Sequence, residues 1–161
     1  MYVKDLMTKQ SYILSEDDDI YLAAKFMKEE KIRSLPVVNK ENKLVGLVTL
    51  REIVDALIKL SKNELVPAIN KNSNDKLIIN IMIKEVKAVT PDTPLKGAIE
   101  MMIVNKYNIV PVVDSHRKLL GVLTEQEVMK KLYELIELPG DFLAMGKVKE
   151  TLKKIDNTLG H

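Results

Sequence analysis

"RSLPVVNKENKLVGLVTLRE", residues 33–52, sets two short apolar runs around a polar turn, and "NIVPVVDSHRKLLGVLTEQE", residues 108–127, does the same again. Pro111 stands 75 residues after Pro36, and the same interval separates Gly121 from Gly46, Thr124 from Thr49 and Glu127 from Glu52. No insertion interrupts the register, so one unit is used twice. The runs at 35–38, 44–48, 110–113 and 119–123 are nearly all apolar and flank turn residues, which predicts strands covered on both faces.

Working outward at the same interval, "DLM" at 5–7 pairs with "NIM" at 80–82, Ser15 with Thr90, and Asp17 with Asp92. Ile20, Ala23, Ala24 and Met27 then pair with Leu95, Ala98, Ile99 and Met102, each set in the i, i+3, i+4, i+7 spacing of an amphipathic helix. Thr93 before Pro94 predicts an N-cap and first helical residue, and Asp17, Asp18 and Asp19 put acidic charge beside the equivalent helix start. The triplet lacks the further ligands that a metal site needs, so none is expected. A second helix follows each strand pair, carried by Ile53, Val54, Leu57 and Ile58 in one copy and by Val128, Met129, Leu132 and Leu135 in the other. Each half therefore reads strand, helix, strand, strand, helix: a mixed α/β chain of two interdependent repeats. The expected division is repeat 1 over residues 1–60, a linker over 61–77 holding Pro67 and "NKNSND", repeat 2 over 78–136, and an extension over 137–161. In that extension Val148, Leu152, Ile155 and Leu159 make one apolar stripe, which predicts a C-terminal helix that must cover something.

Of the 161 residues 46% are hydrophobic and 30% charged, the balance of a soluble globular chain, and no run approaches the roughly 20 apolar residues of a membrane span. There is no cysteine to build a disulfide or thiolate site, and the first residues lack the build of a secretory signal, so a cytoplasmic protein is expected. A net charge of +2, with five Tyr and two Phe, argues against a nucleic-acid partner. An enzyme needs a nucleophile or an acid–base pair within hydrogen-bond reach. The only histidines are His116, in a strand-joining turn, and His161 at the end, and no glycine-rich phosphate loop occurs; no catalytic residue is assigned.

The two stretches "LPVV…GLVTLRE" and "VPVV…GVLTEQE", opened by "DLM" and "NIM", resemble the CBS domain, which occurs as tandem pairs also called Bateman modules. The resemblance covers residues 2–136. It implies two repeats packed about a pseudo-twofold axis, with clefts between them for an adenosine compound: AMP, ADP, ATP or S-adenosylmethionine. It implies a regulatory module with no obligatory cofactor, assembling as a homodimer and acting on a regulated protein the sequence does not name. Because family sites cross the pair, Thr124 and Glu127 are expected to face Thr8, Tyr12, Ile32 and Arg33, while Thr49 and Glu52 face Ile83, Lys87, Tyr107 and Asn108. Tyr12, Ile32 and Tyr107 would line an adenine slot. Arg33 and Lys87 would meet phosphate oxygens.

Thr49 and Thr124 close a strand and open a helix, which predicts free backbone N–H groups and a hydroxyl aimed at an incoming phosphate. Where the family usually carries an aspartate for the ribose hydroxyls, this chain has Glu52 and Glu127. T-x-x-E is also the helix capping box, with Thr accepting from the third amide and Glu reaching back to the first. Two readings follow: a sensor of an adenosine-type ligand, or a degenerate pair that binds no nucleotide and serves as a dimerisation or docking module.

Overall fold

The structure is a computed structural model that describes residues 1–9, 12–64 and 76–136, without the side chains of 63 and 64. Two compact units make up the chain, Met1–Val128 and Met129–His161. The expected C-terminal helix lies outside the described residues, as does most of the linker. The elements run β1 (Leu14–Ser15), α1 (Ile20–Glu29), β2 (Ser34–Val38), β3 (Leu44–Thr49), α2 (Leu50–Glu64), α3 (Leu95–Asn105), β4 (Ile109–Val113), β5 (Leu119–Thr124) and α4 (Glu125–Leu135). Short 3-10 turns at Val3–Asp5 and Ile78–Asn80 precede the two halves. The mixed α/β repeat is as expected, with α2 running past the boundary placed at residue 60.

The 75-residue interval carries through to hydrogen bonding. β2 and β3 are antiparallel with Ser34 opposite Thr49 and Val37 opposite Gly46, and β4 and β5 repeat this with Ile109 opposite Thr124 and Val112 opposite Gly121. Both hairpins slip register at the same place, between Val37 and Val38 and between Val112 and Val113. β1 runs parallel to β2; its counterpart in the second half is a single bridge, Val89 to Val112.

Helix starts are less uniform. Asp19 caps α1, accepting the Tyr21 N–H at 2.7 Å. The expected Thr93 cap does not form: Pro94 occupies the cap position of α3, and the Thr93 hydroxyl instead accepts the Thr90 N–H at 3.0 Å. A hydroxyl turned to the preceding turn cannot also serve the helix.

Each half has its own core. Leu14, Ile20, Ala23, Met27, Leu35, Val37, Val48 and Ile53 pack together in the first. Val89, Ala98, Met102, Val110, Val112, Leu123 and Val128 do so in the second, joined by Val3 from the start of the chain. A third cluster of Leu44, Leu47, Val86, Ile109, Val113, Leu119 and Val122 draws on both hairpins and fuses the halves. Of the strands expected to be covered, Val38 and Val45 are half-buried and Leu120 exposed.

The segments that open the halves are exchanged. Thr8 and Val122 bond each other's backbone in both directions at 2.9 Å, and Ile83 and Leu47 do so at 2.8 and 3.0 Å. "DLM" therefore lies on the hairpin of the second half and "NIM" on that of the first. On the pseudo-twofold axis Lys43 faces Lys118, flanked by Leu44 N–H to Arg117 O at 2.9 Å and Leu119 N–H to Asn42 O at 3.0 Å. Arg117 adds Nε to the Leu44 carbonyl at 3.2 Å and Nη2 to the Val86 carbonyl at 2.9 Å, a cationic staple with no sequence signature.

Candidate functional site

Each hairpin delivers a threonine to the first turn of the helix that follows, but the two corners are built differently. At the first, Glu52 folds back: its Oε2 accepts the Thr49 N–H at 2.9 Å and also the Thr49 hydroxyl. At the second, the Thr124 hydroxyl accepts the Glu127 N–H at 3.2 Å, and the Glu127 carboxylate has no partner among the described residues. The capping box is thus split, one reciprocal bond in each copy. The sequences differ where it matters: the first turn of α4 carries Glu125 as well as Glu127, that of α2 only Glu52. With Glu125 already at the positive end of the helix, a second carboxylate folded onto it meets repulsion.

The first amide of each of these helices, among those expected to be free, has an acceptor of its own. The Leu50 N–H donates to the Arg33 carbonyl at 2.8 Å and the Glu125 N–H to the Asn108 carbonyl at 2.9 Å. Anion binding at either corner would therefore rest on side chains more than on the helix ends.

Thr8, an exposed residue, bridges to Val122 two positions before Thr124, and Ile83 bridges to Leu47 two positions before Thr49. The exchanged segments thus bring residues of each half to the corner of the other. Ser34 ties the corners together: it is 2% exposed, the one buried polar residue among those described, and its Oγ donates to Asn108 Oδ1 at 2.8 Å. Sequence reasoning missed it, although a serine opening an otherwise apolar strand was the available signal.

Arg33 is exposed, next to Ser34, and its guanidinium has no partner among the described residues. Lys87 Nζ donates to Asn105 Oδ1 at 3.0 Å. The equivalent pair in the first half is Tyr12 and Glu30; their hydrogen bond, then partial desolvation, raises the Tyr12 phenol above its ordinary range. Tyr12 also packs on Phe26, ring centres 5.3 Å apart, and with Ile32 belongs to the core of the first half. Tyr107 packs on the core of the second. Below the first corner Glu52, Asp55, Ala56, Lys59 and Leu60 of α2 face Asn80 and Ile81 across an open depression of about 450 Å³.

A family model described as the CBS domain matches residues 3–59 and again 78–134. A 17.7 kDa protein from the bps2 3′ region of Acidianus ambivalens is 31% identical over 133 residues, 83% of this chain and 74% of that protein. Homoserine O-acetyltransferase of Methanohalobium evestigatum is also 31% identical over 133 residues, but these span 24% of that enzyme, so the likeness takes in about a quarter of its length. Among solved structures, the CBS domain pair of protein MJ0100 in complex with 5′-methylthioadenosine and S-adenosylmethionine superposes with a TM-score of 0.69. It is 27% identical, and the match covers 84% of this chain and 98% of that one. Two matches in one register over most of the sequence, on a fold whose hydrogen bonds repeat at the same interval, settle the family: the chain belongs to the CBS domain family and carries two of its repeats in tandem.

Proposed function

We propose that this chain is a regulatory CBS pair that binds an adenosine-type ligand between its repeats and carries out no chemistry on it. The observation that carries the reading is the second corner, where the Glu127 carboxylate, without a partner among the described residues, and the Thr124 hydroxyl stand beside the Thr8 segment of the other half. A carboxylate accepts from a ribose diol, and a rim cation such as Arg33 suits a phosphate. The complex of the MJ0100 pair with two adenosine compounds supports the same class of ligand. AMP, ADP, ATP and S-adenosylmethionine are the candidates, and binding would act on a cytoplasmic partner through the relative affinity of two shapes of the pair.

In a calorimetric and melting screen against these compounds and 5′-methylthioadenosine, at least one is expected to give saturable heat. At a hundred times its Kd it should stabilise the fold by about 2.7 kcal/mol and raise Tm by roughly 5–10 °C. Silence from all of them at millimolar concentration favours the degenerate docking module instead.

We also read the pair as a homodimer. Leu50, Val54 and Ile58, spaced by four residues on α2, are 45%, 43% and 46% exposed, an apolar face with no cover among the described residues. Light scattering should give about twice the 18.3 kDa of one chain, and Val54→Lys should return it to 18.3 kDa. A monomeric wild type at high micromolar concentration rules the dimer out.

A further inference from the structure

We propose that the two corners are not equivalent sites: one adenosine-type ligand binds per chain, at Thr124 and Glu127, while Glu52 plugs the corner at Thr49. This rests on the adenosine reading above and goes beyond it in assigning which cleft works.

The argument is one of saturation. A polar ligand gains over water only where protein groups lack partners of their own, since otherwise every new hydrogen bond displaces one already made. At the Thr49 corner the threonine and the glutamate are tied to each other, and two of the other candidates already have a partner. Oε2 of Glu52 accepts two hydrogen bonds from Thr49, Asn108 is held by Ser34, and Lys87 is held by Asn105. The two donors Thr49 offers, its N–H and its hydroxyl, both point into that carboxylate. An approaching phosphate or ribose oxygen finds both Thr49 donors taken and faces the Glu52 carboxylate.

At the Thr124 corner the balance is reversed. The Thr124 hydroxyl uses a lone pair on the Glu127 N–H and keeps its own hydrogen to donate. The Glu127 carboxylate has no partner among the described residues. It can accept from a ribose diol without giving up a bond that serves the fold.

The repeat makes the contrast internal, because backbone register and strand partners are the same in the two copies. What differs is the pair of residues after each threonine, Leu50 and Arg51 against Glu125 and Gln126. The extra acid at the start of α4 keeps Glu127 from folding back, so a substitution outside the ligand contacts sets which corner is open.

Calorimetric titration of the full chain with AMP, S-adenosylmethionine and 5′-methylthioadenosine tests this. The wild type is expected to take one equivalent per chain. Glu127→Ala should weaken that binding about ten- to a hundredfold, the worth of a hydrogen bond to a charged group, with its melting curve confirming a folded protein. Glu52→Asp, which draws the carboxylate back from Thr49 by one methylene, should add a second equivalent. Two equivalents in the wild type, binding retained in Glu127→Ala, or a single equivalent still in Glu52→Asp each overturn the proposal. No heat from wild type or from either variant with any of the three compounds overturns the adenosine reading itself and this proposal with it.

Discussion

Gly121→Ala is expected to lower the melting temperature by about 10 °C, and Gly46→Ala by clearly less. The two glycines occupy the same place in the two hairpins, and each is crossed by the exchanged segment of the other half. A methyl group on Gly121 would stand on the Thr8 carbonyl oxygen and 2.8 Å from Met7 Cε. That oxygen accepts the Val122 N–H, so the segment cannot retreat without breaking the pair of bonds that holds it. Overpacking of about 1–3 kcal/mol and the loss of one or two backbone hydrogen bonds at about 1 kcal/mol each add to some 3–4 kcal/mol. At 2–4 °C per kcal/mol this is about 10 °C. A methyl group on Gly46 meets chiefly the side chain of Met82, at 2.9 Å from its Cγ, with the nearest backbone atom, Ile83 O, at 3.2 Å. A methionine side chain can move aside, and a carbonyl committed to a strand cannot. Thermal melts of the two variants, side by side, decide the matter; equal losses would mean that the approach over Gly121 is no tighter than that over Gly46.

These glycines also show how far the sequence could be read. The repeated G at 46 and 121 was legible as part of a register, as were the strands, the helices and the corners at Thr49 and Thr124, because apolar periodicity and a 75-residue self-match are properties of the chain alone. Even the left-handed residues repeat: Lys31 with Lys106, and Asn42 with Arg117, all lie at φ between 54° and 65°. What the pattern could not show is the exchange of the opening segments. "DLM" and "NIM" mark where a half starts but not which hairpin each will cover, since a side-chain period carries no information about partners distant in sequence.

The corners were legible in type and not in detail. T-x-x-E satisfies a capping box and a ribose site equally well, and the same spacing resolves in two ways here, with Leu50 and Arg51 between threonine and glutamate in one copy and Glu125 and Gln126 in the other. The first amide of each helix, at Leu50 and Glu125, is not free, because Arg33 and Asn108 supply carbonyls from the neighbouring strand starts, contacts that no local pattern encodes. Thr93 failed as a cap for a similar reason, its hydroxyl having a nearer donor at Thr90.

Removal of residues 1–8 should cost more than any single substitution, and the damage should fall on the second half of the protein rather than on the half those residues precede. Val3 is fully buried among Val89, Ala98, Met102, Val110, Val112 and Leu123, and Leu6 and Met7 pack on the same cluster. Burial of one such side chain is worth about 1.5–3 kcal/mol. The backbone adds Val3 N–H to Thr93 O and Lys4 N–H to Pro91 O, each 2.9 Å, Leu95 N–H to Met1 O at 3.1 Å, and the reciprocal pair between Thr8 and Val122. At about 1 kcal/mol each, these bring the loss to roughly 5 kcal/mol or more, comparable with the whole stability of a small domain at about 5–15 kcal/mol. Hydrogen exchange read by mass spectrometry should show residues 109–124 losing protection ahead of residues 34–49, whose own crossing segment at Ile83 is untouched. Equal loss in the two hairpins, or none, would contradict the exchange of segments. The expected order follows from the crossing itself: the opening segment of each half completes the sheet of the other, so removing the start of the first half uncovers the second.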